Sequence, residues 1–447
     1  MELHTTAAGT VDHDTAVPAP AITSASPARR RIYPWIVFAL SFGLLLADYM
    51  SRQVLSAIFP FLKTEWLLSD SQLASLTSIV ALMVGLLTLP LSMAADRWGR
   101  TRSLVLMAVL WSVATLLCAV AASYEQMLGA RFLVGVGEAA YGSVGIALVL
   151  SVFAPRVHAA LGGAFMAGGS FGSVLGVALG GVIAVQFGWR WSFATMAAFG
   201  LILAVLFRAV VTEARLHRYA ADQASGQPPT ADAVRAPVST LFTNPAVLCA
   251  YVGSGLQIFT AAVLLSWMPS FFNRHYDLAP DSAGLVASVV VLFVGAGMVG
   301  CGFLTDRFSR ADMSRKWTTA IWFCLISLTC LIVGFGLGAG PAQLILIGIG
   351  AFFSGGSSGP TAAMVANLTH PSVRASAFGT LTLANSLLGL ALGPFVVGVL
   401  ADHIGLTNAL RLAPLPYLFA IAAFVVGKRV YPAGLRRLAA LDPAVSR

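Results

Sequence analysis

Charge is scarce in this chain. Asp, Glu, Lys and Arg make up only 10% of its 447 residues while hydrophobic types make up 58%, and a soluble domain of that size would lack the polar surface needed to cover itself. Lysine is nearly absent, with three residues against 24 arginines; together with heavy Ala and Gly use, this fits a GC-rich bacterial genome and hence an inner membrane. Cysteine is sparse too. All five cysteines (Cys118, Cys249, Cys301, Cys324, Cys330) fall in apolar runs, without the short loop spacings of a zinc site or a disulfide framework, so packing is their expected role. No nucleophile–base pair or metal constellation is visible, which argues against an enzyme. No soluble module gathers the basic residues, so the net charge of +9 does not point to nucleic acid. Strand-like alternation over about ten residues, the mark of a membrane barrel, is also missing.

What is present is twelve apolar runs, near 33–62, 73–95, 103–122, 126–153, 159–187, 190–210, 245–272, 283–305, 317–338, 342–366, 376–400 and 408–427. Each is long enough for a helix to cross a hydrocarbon core roughly 30 Å thick. The first 28 residues are rich in Ala, Thr, Pro and Asp and carry no apolar core, so they read as a disordered tail rather than a signal peptide. Arg29, Arg30 and Arg31 then precede the first run and should hold the amino terminus in the cytoplasm. With twelve spans, the cytoplasmic segments carry 21 of the 27 Lys and Arg residues. The outer segments carry Lys63, Arg190, Arg274 and Arg411, and Arg52 and Arg131 lie inside runs. That bias follows the positive-inside rule and puts both termini in the cytoplasm.

The polar, proline-bearing stretch 211–243 divides the runs six and six. The expected layout is a tail over 1–30, a six-helix bundle over 31–210, a cytoplasmic linker over 211–243, a second bundle over 244–430 and a tail over 431–447. The halves repeat at a steady offset. "AADRWGRTR" after the second run is answered by "LTDRFSRADMSRK" after the eighth, "VGVGEAAYGSVG" in the fourth by "GAFFSGGSSGP" in the tenth, and "GSVLGVALGG" in the fifth by "GLALGPFVVG" in the eleventh. Duplicated halves with a site near the bilayer midplane between them are how secondary transporters are built. A monomeric carrier that sits in the lipid bilayer and takes a small-molecule substrate is therefore expected.

A charge near the bilayer centre costs about 2.5–3.5 kcal/mol on insertion scales and usually faces a cavity or a partner. Four such residues lie away from the ends of the runs, all in the first half: Asp48, Arg52, Arg131 and Glu138. Asp48 and Arg52 are four apart and share one helical face; Arg131 and Glu138 are seven apart, two turns along another. A polar stripe of both signs suits a proton-coupled or anion-binding cavity. A carboxylate beside an arginine stays ionised, whereas one that loses that partner in an apolar cavity takes up a proton. The plain alternative is an ion pair that locks the first helix to the fourth, and for Arg131 a role tying down backbone carbonyls is open. Tyr49 and Tyr141 sit beside the charges as hydrogen-bonding or packing groups.

The second half has no interior charge. It offers Gln257 and Thr260 on its first run, Ser354, Ser357, Ser358 and Thr361 on the tenth, and Asn385 and Ser386 on the eleventh; such residues line a cavity or hold neighbouring helices together. A cavity charged on one wall and weakly polar on the other favours an amphiphile, or an organic ion with a sizeable apolar body. The loop residues Asp96, Arg97 and Arg100, with their second copy Asp306, Arg307 and Arg310, are expected to latch the halves in the outward-open state. Gly163, Gly168, Gly169, Gly172, Gly176, Gly180 and Gly181 of the fifth run read as a close-packing face. His158 and His370 lie at the starts of the fifth and eleventh runs, where a surface role is expected.

On these features the sequence resembles the major facilitator superfamily over residues 31 to 430. The resemblance rests on the paired DRxxR loops, Arg131 with Gly135 and Gly137, the glycines of the fifth run and the six-plus-six layout. It implies an all-α membrane protein of twelve transmembrane helices, working by alternating access without a cofactor other than coupling protons. "RFLVGVGEAAY" resembles the spinster-like branch, whose members move lysolipids and related amphiphiles; on that resemblance Arg131 and Glu138 are substrate- and proton-coupling residues. "DYMSR" is similar to that branch's N-Y-M-D-R and maps its arginine onto Arg52, with Ser51 in the aspartate place and Asp48 in the asparagine place. "SWMPSFF" (266–272) is similar in style both to spinster-like proteins and to the anion:cation symporter branch, which imports carboxylates with protons, and so does not separate the two. The expected function is proton-coupled export of an amphiphile, with proton-coupled uptake of a small carboxylate as the alternative and a non-transporting membrane sensor as the remote one.

Overall fold

In the computed structural model the described residues are 27–153, 157–213, 215–216, 240–310, 312–370 and 373–439. The expected amino-terminal tail up to residue 26, most of the 211–243 linker and residues 440–447 lie outside them. The described chain contains twelve helices long and apolar enough to cross a membrane. They are α1 (Ile32–Trp66), α2 (Asp70–Ala95), α3 (Arg100–Val120), α4 (Tyr124–Ser151), α5 (Leu161–Phe187), α6 (Trp189–Val210), α7 (Pro245–His275), α8 (Pro280–Phe308), α9 (Arg315–Gly336), α10 (Pro341–Leu368), α11 (Ser376–Ile404) and α12 (Leu406–Leu438). The turns after odd-numbered helices define one face of the protein, the odd face, and those after even-numbered helices the other, the even face.

Local chemistry explains where these helices stop. Ser69 caps α2 through a reciprocal box with Gln72, Ser123 caps α4, and Asn244 caps α7 just ahead of Pro245, each supplying an acceptor to an otherwise orphaned N–H. Gly188 and Gly405 sit at φ of 92° and 79°, a left-handed backbone that glycine adopts without strain, and they make the matching α5–α6 and α11–α12 turns. The helical backbone of α1 begins at Pro27, and α12 continues to Ala439 with Arg436 and Arg437 in its last turn. Both pass the expected boundaries at 31 and 430, and basic side chains at a helix carboxyl end favour its extension.

Four helices are irregular, among them α12, which stops at Leu412 and resumes at Pro416. The fourth stops at Glu138 and resumes at Tyr141. The tenth, its counterpart in the second half, stops at Ser354 and resumes at Ser358. In α11 the segment Asn385–Ala391 is π-helical, a local widening that often marks functional positions.

Glycine lets α5 lie directly on α1. A Cβ added at Gly172 would fall 2.5 Å from the Leu46 carbonyl oxygen, one at Gly176 2.7 Å from that of Met50, and one at Gly180 2.8 Å from Val54 Cγ2. Gly181 turns instead to α8, where its added Cβ would lie 3.0 Å from the Pro280 carbonyl oxygen, so α5 serves both bundles. Gly163 departs from the expected stripe and faces open space. Large apolar side chains such as Phe187, Val205, Phe303 and Phe419 are exposed around the outside, as a lipid-facing surface requires. Gly172→Val should therefore cost about 1–3 kcal/mol through overpacking and lower the melting temperature in detergent by several degrees, whereas Gly163→Ala should leave it unchanged; thermal unfolding of the two purified variants checks this.

Candidate functional site

The break in α4 puts Glu138 opposite the middle of α1. There Arg52 Nη2 approaches Glu138 Oε2 at 2.9 Å and Asp48 Oδ2 at 4.0 Å, so one guanidinium stands between two carboxylates. The Ser51 hydroxyl lies 2.8 Å from the Asp48 carbonyl oxygen and 3.3 Å from Glu138 Oε1. The arginine also stacks over the Tyr49 ring, 5.2 Å from its centre, a cation–π contact. Exposure falls from 15% for the Arg52 side chain to 4% for Asp48 and none for Glu138. The group is not fully satisfied: Asp48 Oδ1, Arg52 Nε and Glu138 Oε2 have no aligned hydrogen bond. Buried polar atoms are nearly always paired, and exceptions call for a partner that comes and goes.

Arg131 meets the backbone of neighbouring helices. It is fully buried and donates to three backbone carbonyls, from Nε to Leu76 at 3.2 Å, from Nη1 to Ser51 at 3.2 Å and from Nη2 to Arg52 at 3.4 Å. Of the two roles open to it, the structure has the carbonyl tie, which joins α4 to α1 and α2. A guanidinium carries five donors in a fixed fork, and here that fork holds the backbone from which Arg52 projects. Tyr141 is likewise a strut: its hydroxyl donates to the Ser41 carbonyl at 2.8 Å and its ring packs edge-on against Trp111 at 4.9 Å.

In the second half the candidates separate in the same way. Thr260 donates to the Ala413 carbonyl of α12 at 3.3 Å. Ser357 closes the resumed turn of α10, its carbonyl accepting from Thr361 at 2.7 Å and its hydroxyl 3.9 Å from Cys324 Sγ. Both tie the bundle together instead of lining a cavity, because each is buried against its own partners. Ser358, partly exposed, opens the second segment of α10. Gln257 differs from these: it is fully buried, yet neither its amide nitrogen nor its oxygen has a hydrogen-bond partner. Asn385 Oδ1, at the start of the π-helical segment, is also unpaired. The two helices meet closely beside them, a Cβ at Gly389 falling 2.8 Å from the Gly255 carbonyl oxygen.

The two walls share a depth. Helices α1 and α7 run in the same direction and touch through Phe59 and Trp267, ring centres 5.4 Å apart. Arg52 precedes Phe59 by seven residues and Gln257 precedes Trp267 by ten, about 10 and 15 Å toward the even face at 1.5 Å per residue.

The sequence profile of the Major Facilitator Superfamily matches residues 41–312 and 251–442, nearly the whole chain. The chain belongs to this superfamily. It is 26% identical over 415 residues to a probable L-galactonate transporter of Escherichia coli, covering 90% of this chain and 89% of that protein. A hexuronate transporter of Bacillus subtilis is 24% identical over 377 residues, 83% and 88% of the two chains. Among solved structures, a bacterial homolog of the human lysosomal transporter Spinster in an inward-facing, occupied conformation superposes with a TM-score of 0.77 at 19% identity, over 90% of this chain and 98% of that one.

This superfamily member is closed across its odd face by residues to which sequence reasoning gave no role. Asp70, at the start of α2, receives Arg274 from α7 of the other bundle at 2.7 and 2.8 Å and Lys63 at 2.6 Å. Asp402 of α11 accepts from the backbone N–H groups of Asp70 at 2.7 Å and Ser71 at 2.9 Å. With Ser69 serving Gln72, the free amino end of α2 is capped in part by a carboxylate from the opposite bundle. The S-x-x-Q spacing of Ser69 and Gln72 was a readable helix start; its partners across the interface were not. At the even face Arg102 pairs with Glu213 at 3.8 Å and Asp306 with Lys316 at 4.0 Å, each within its own bundle, and Arg97, Arg307 and Arg310 are exposed. The Asp96 side chain lies outside the described residues.

Two outcomes are expected. Arg131→Gln leaves buried carbonyls unpaired, at about 1–3 kcal/mol for each group orphaned, so it should reduce folded yield and melting temperature before any effect on coupling is measurable. Arg274→Ala removes two charge-assisted bonds across the odd face. Spin labels at exposed Leu67 and His403 should then show an open, longer-distance population raised about tenfold or more in pulsed dipolar measurements.

Proposed function

We propose that this transporter carries small hydroxylated organic acids, of the aldonate or hexuronate kind, into the cell together with protons. The observation that carries the reading is a pair of unsatisfied polar groups at similar depth in the two bundles: Arg52 between Asp48 and Glu138 in one, and Gln257 with Asn385 in the other. An arginine is suited to a substrate carboxylate, and neutral amides are suited to hydroxyl groups. A fatty chain would leave those amides unpaired, at a cost. The relatives named for galactonate and hexuronate support the same class, whereas likeness to the Spinster homolog at 19% identity speaks for fold alone. Uptake of a carboxylate thus takes precedence over amphiphile export.

In this mechanism Arg52 is held by Glu138 and Asp48 when the site is empty. A proton arriving on one acid weakens that hold and frees the guanidinium for the substrate anion, so proton and anion enter together. Arg131 fixes the backbone beneath Arg52 throughout. Both termini lie in the cytoplasm of an inner-membrane monomer, which makes the odd face the outer one and the present arrangement inward-facing. The Asp70, Arg274 and Asp402 contacts then form the outer closure, and the Asp96 and Asp306 loops close the inner face when that closure opens.

Purified protein in liposomes should accumulate labelled galactonate or glucuronate when the outside is made acidic. Glu138→Gln should cut gradient-driven uptake at least tenfold while the protein stays folded and still exchanges substrate. Gln257→Ala should raise KM about 3- to 10-fold, the worth of one or two neutral hydrogen bonds, with little change for an unhydroxylated acid of equal length. Uptake indifferent to the pH gradient, or a Glu138→Gln protein that accumulates normally, would overturn the reading.

A further inference from the structure

On the outside of the second bundle, at the even face, the ends of α8, α9 and α12 enclose a groove of about 630 Å³. It lies away from the Arg52 site and plays no part in the transport mechanism above. The groove is polar at one end and aromatic at the other. Its polar end holds Arg315 in the first turn of α9 and Lys428 of α12, both exposed. Lys428 Nζ is placed there by a 2.9 Å bond to Thr318 Oγ1.

Asp312 is the one acid on this rim, and it is already engaged. Its carboxylate oxygens accept from the Ser314 backbone N–H at 2.8 Å and from the Ser314 hydroxyl at 2.6 Å. Those bonds, with Arg315 and Lys428 nearby, hold its carboxyl below the usual carboxylate range. It therefore stays ionised and turned to the start of α9, and two cations against one carboxylate leave the rim with a single net positive charge.

The other end is apolar. Phe308 and Trp322 are each 58% exposed, so both rings are open to whatever occupies the groove. Trp322 follows Arg315 by seven residues, two turns, which sets the indole about 10 Å along α9 from the guanidinium. Cation at the interface and ring one headgroup's depth below it match the profile of a phospholipid, whose phosphate lies at the membrane surface and whose chains run inward. A soluble organic anion would use only the rim and leave the aromatic half unfilled.

We infer that this groove is a binding site for an anionic phospholipid, with Arg315 and Lys428 holding the phosphate and Phe308 and Trp322 receiving the first part of an acyl chain. The net single charge on the rim matches a lipid carrying one negative charge, such as phosphatidylglycerol, better than a zwitterionic one.

Full-length protein stripped of lipid in neutral detergent is the material for the test. Native mass spectrometry should show a phosphatidylglycerol adduct that survives detergent release, with weaker retention of phosphatidylcholine of the same chains. Arg315→Gln together with Lys428→Gln should weaken the adduct about 10- to 30-fold, from the usual worth of two interfacial cations. Arg315→Gln alone, at an exposed site that leaves the fold intact, should weaken it several-fold. Arg429→Gln, an exposed cation on the same helix outside the groove, should leave it unchanged. Trp322→Ala should weaken retention of the lipid but not of glycerol phosphate. The inference fails if phosphatidylcholine binds as well, if Arg429→Gln acts like Arg315→Gln, or if glycerol phosphate alone binds as tightly as the whole lipid.

Discussion

An arginine in the middle of an apolar bundle must be neutralised where it stands, and the Arg52–Glu138 contact at 2.9 Å does this across two helices. The rest of the first bundle follows from that need. The fourth helix breaks just after Glu138, which turns the acid toward α1. Arg131 holds the α1 backbone through the carbonyls of Ser51 and Arg52, so the partner of Glu138 cannot drift. The glycines of α5 admit α1 closely enough for its polar face to be packed from behind. A buried pair of this kind adds little net stability, because desolvation offsets attraction.

The duplicated halves have used one architecture for two purposes. The breaks in α4 and α10 fall at matching places, yet the first carries Glu138 and the second only serines that close their own turns. Among the described residues, unmet hydrogen-bonding capacity in the second half lies mostly on α7, with Trp317 of α9 and Asn385 of the π-helical segment of α11. Charge is thus confined to one wall and neutral polarity to the other.

Among the described residues, the ion pair between the halves lies where backbone and carboxylate meet. At the odd face an aspartate, an arginine and a lysine converge on the amino end of α2, with a second aspartate from α11 on its N–H groups. Such a junction is strong while dry and weakens as water enters. Between the bundles, α5 and α8 approach closely through Gly181 and Gly284.

The twelve spans, the six-plus-six division and the identity of the interior charges were all written in the sequence, because membrane insertion depends on the apolar length of each run and on the cost of each charge in it, both local quantities. The tertiary structure decided the rest. Arg131 and Glu138 share a helix and a face, yet one ends on carbonyls and the other on Arg52; the difference is what stands opposite, which no spacing along α4 encodes. Gln257 and Thr260, three residues apart, diverge likewise, one unpaired and one bound to α12. Asp70, Arg274 and Asp402 lie far apart in the chain, and their meeting depends on how two separately folded bundles approach each other. Periodicity therefore told which helices exist and which residues are expensive to bury, while the satisfaction of those residues is a property of neighbours that only packing brings together.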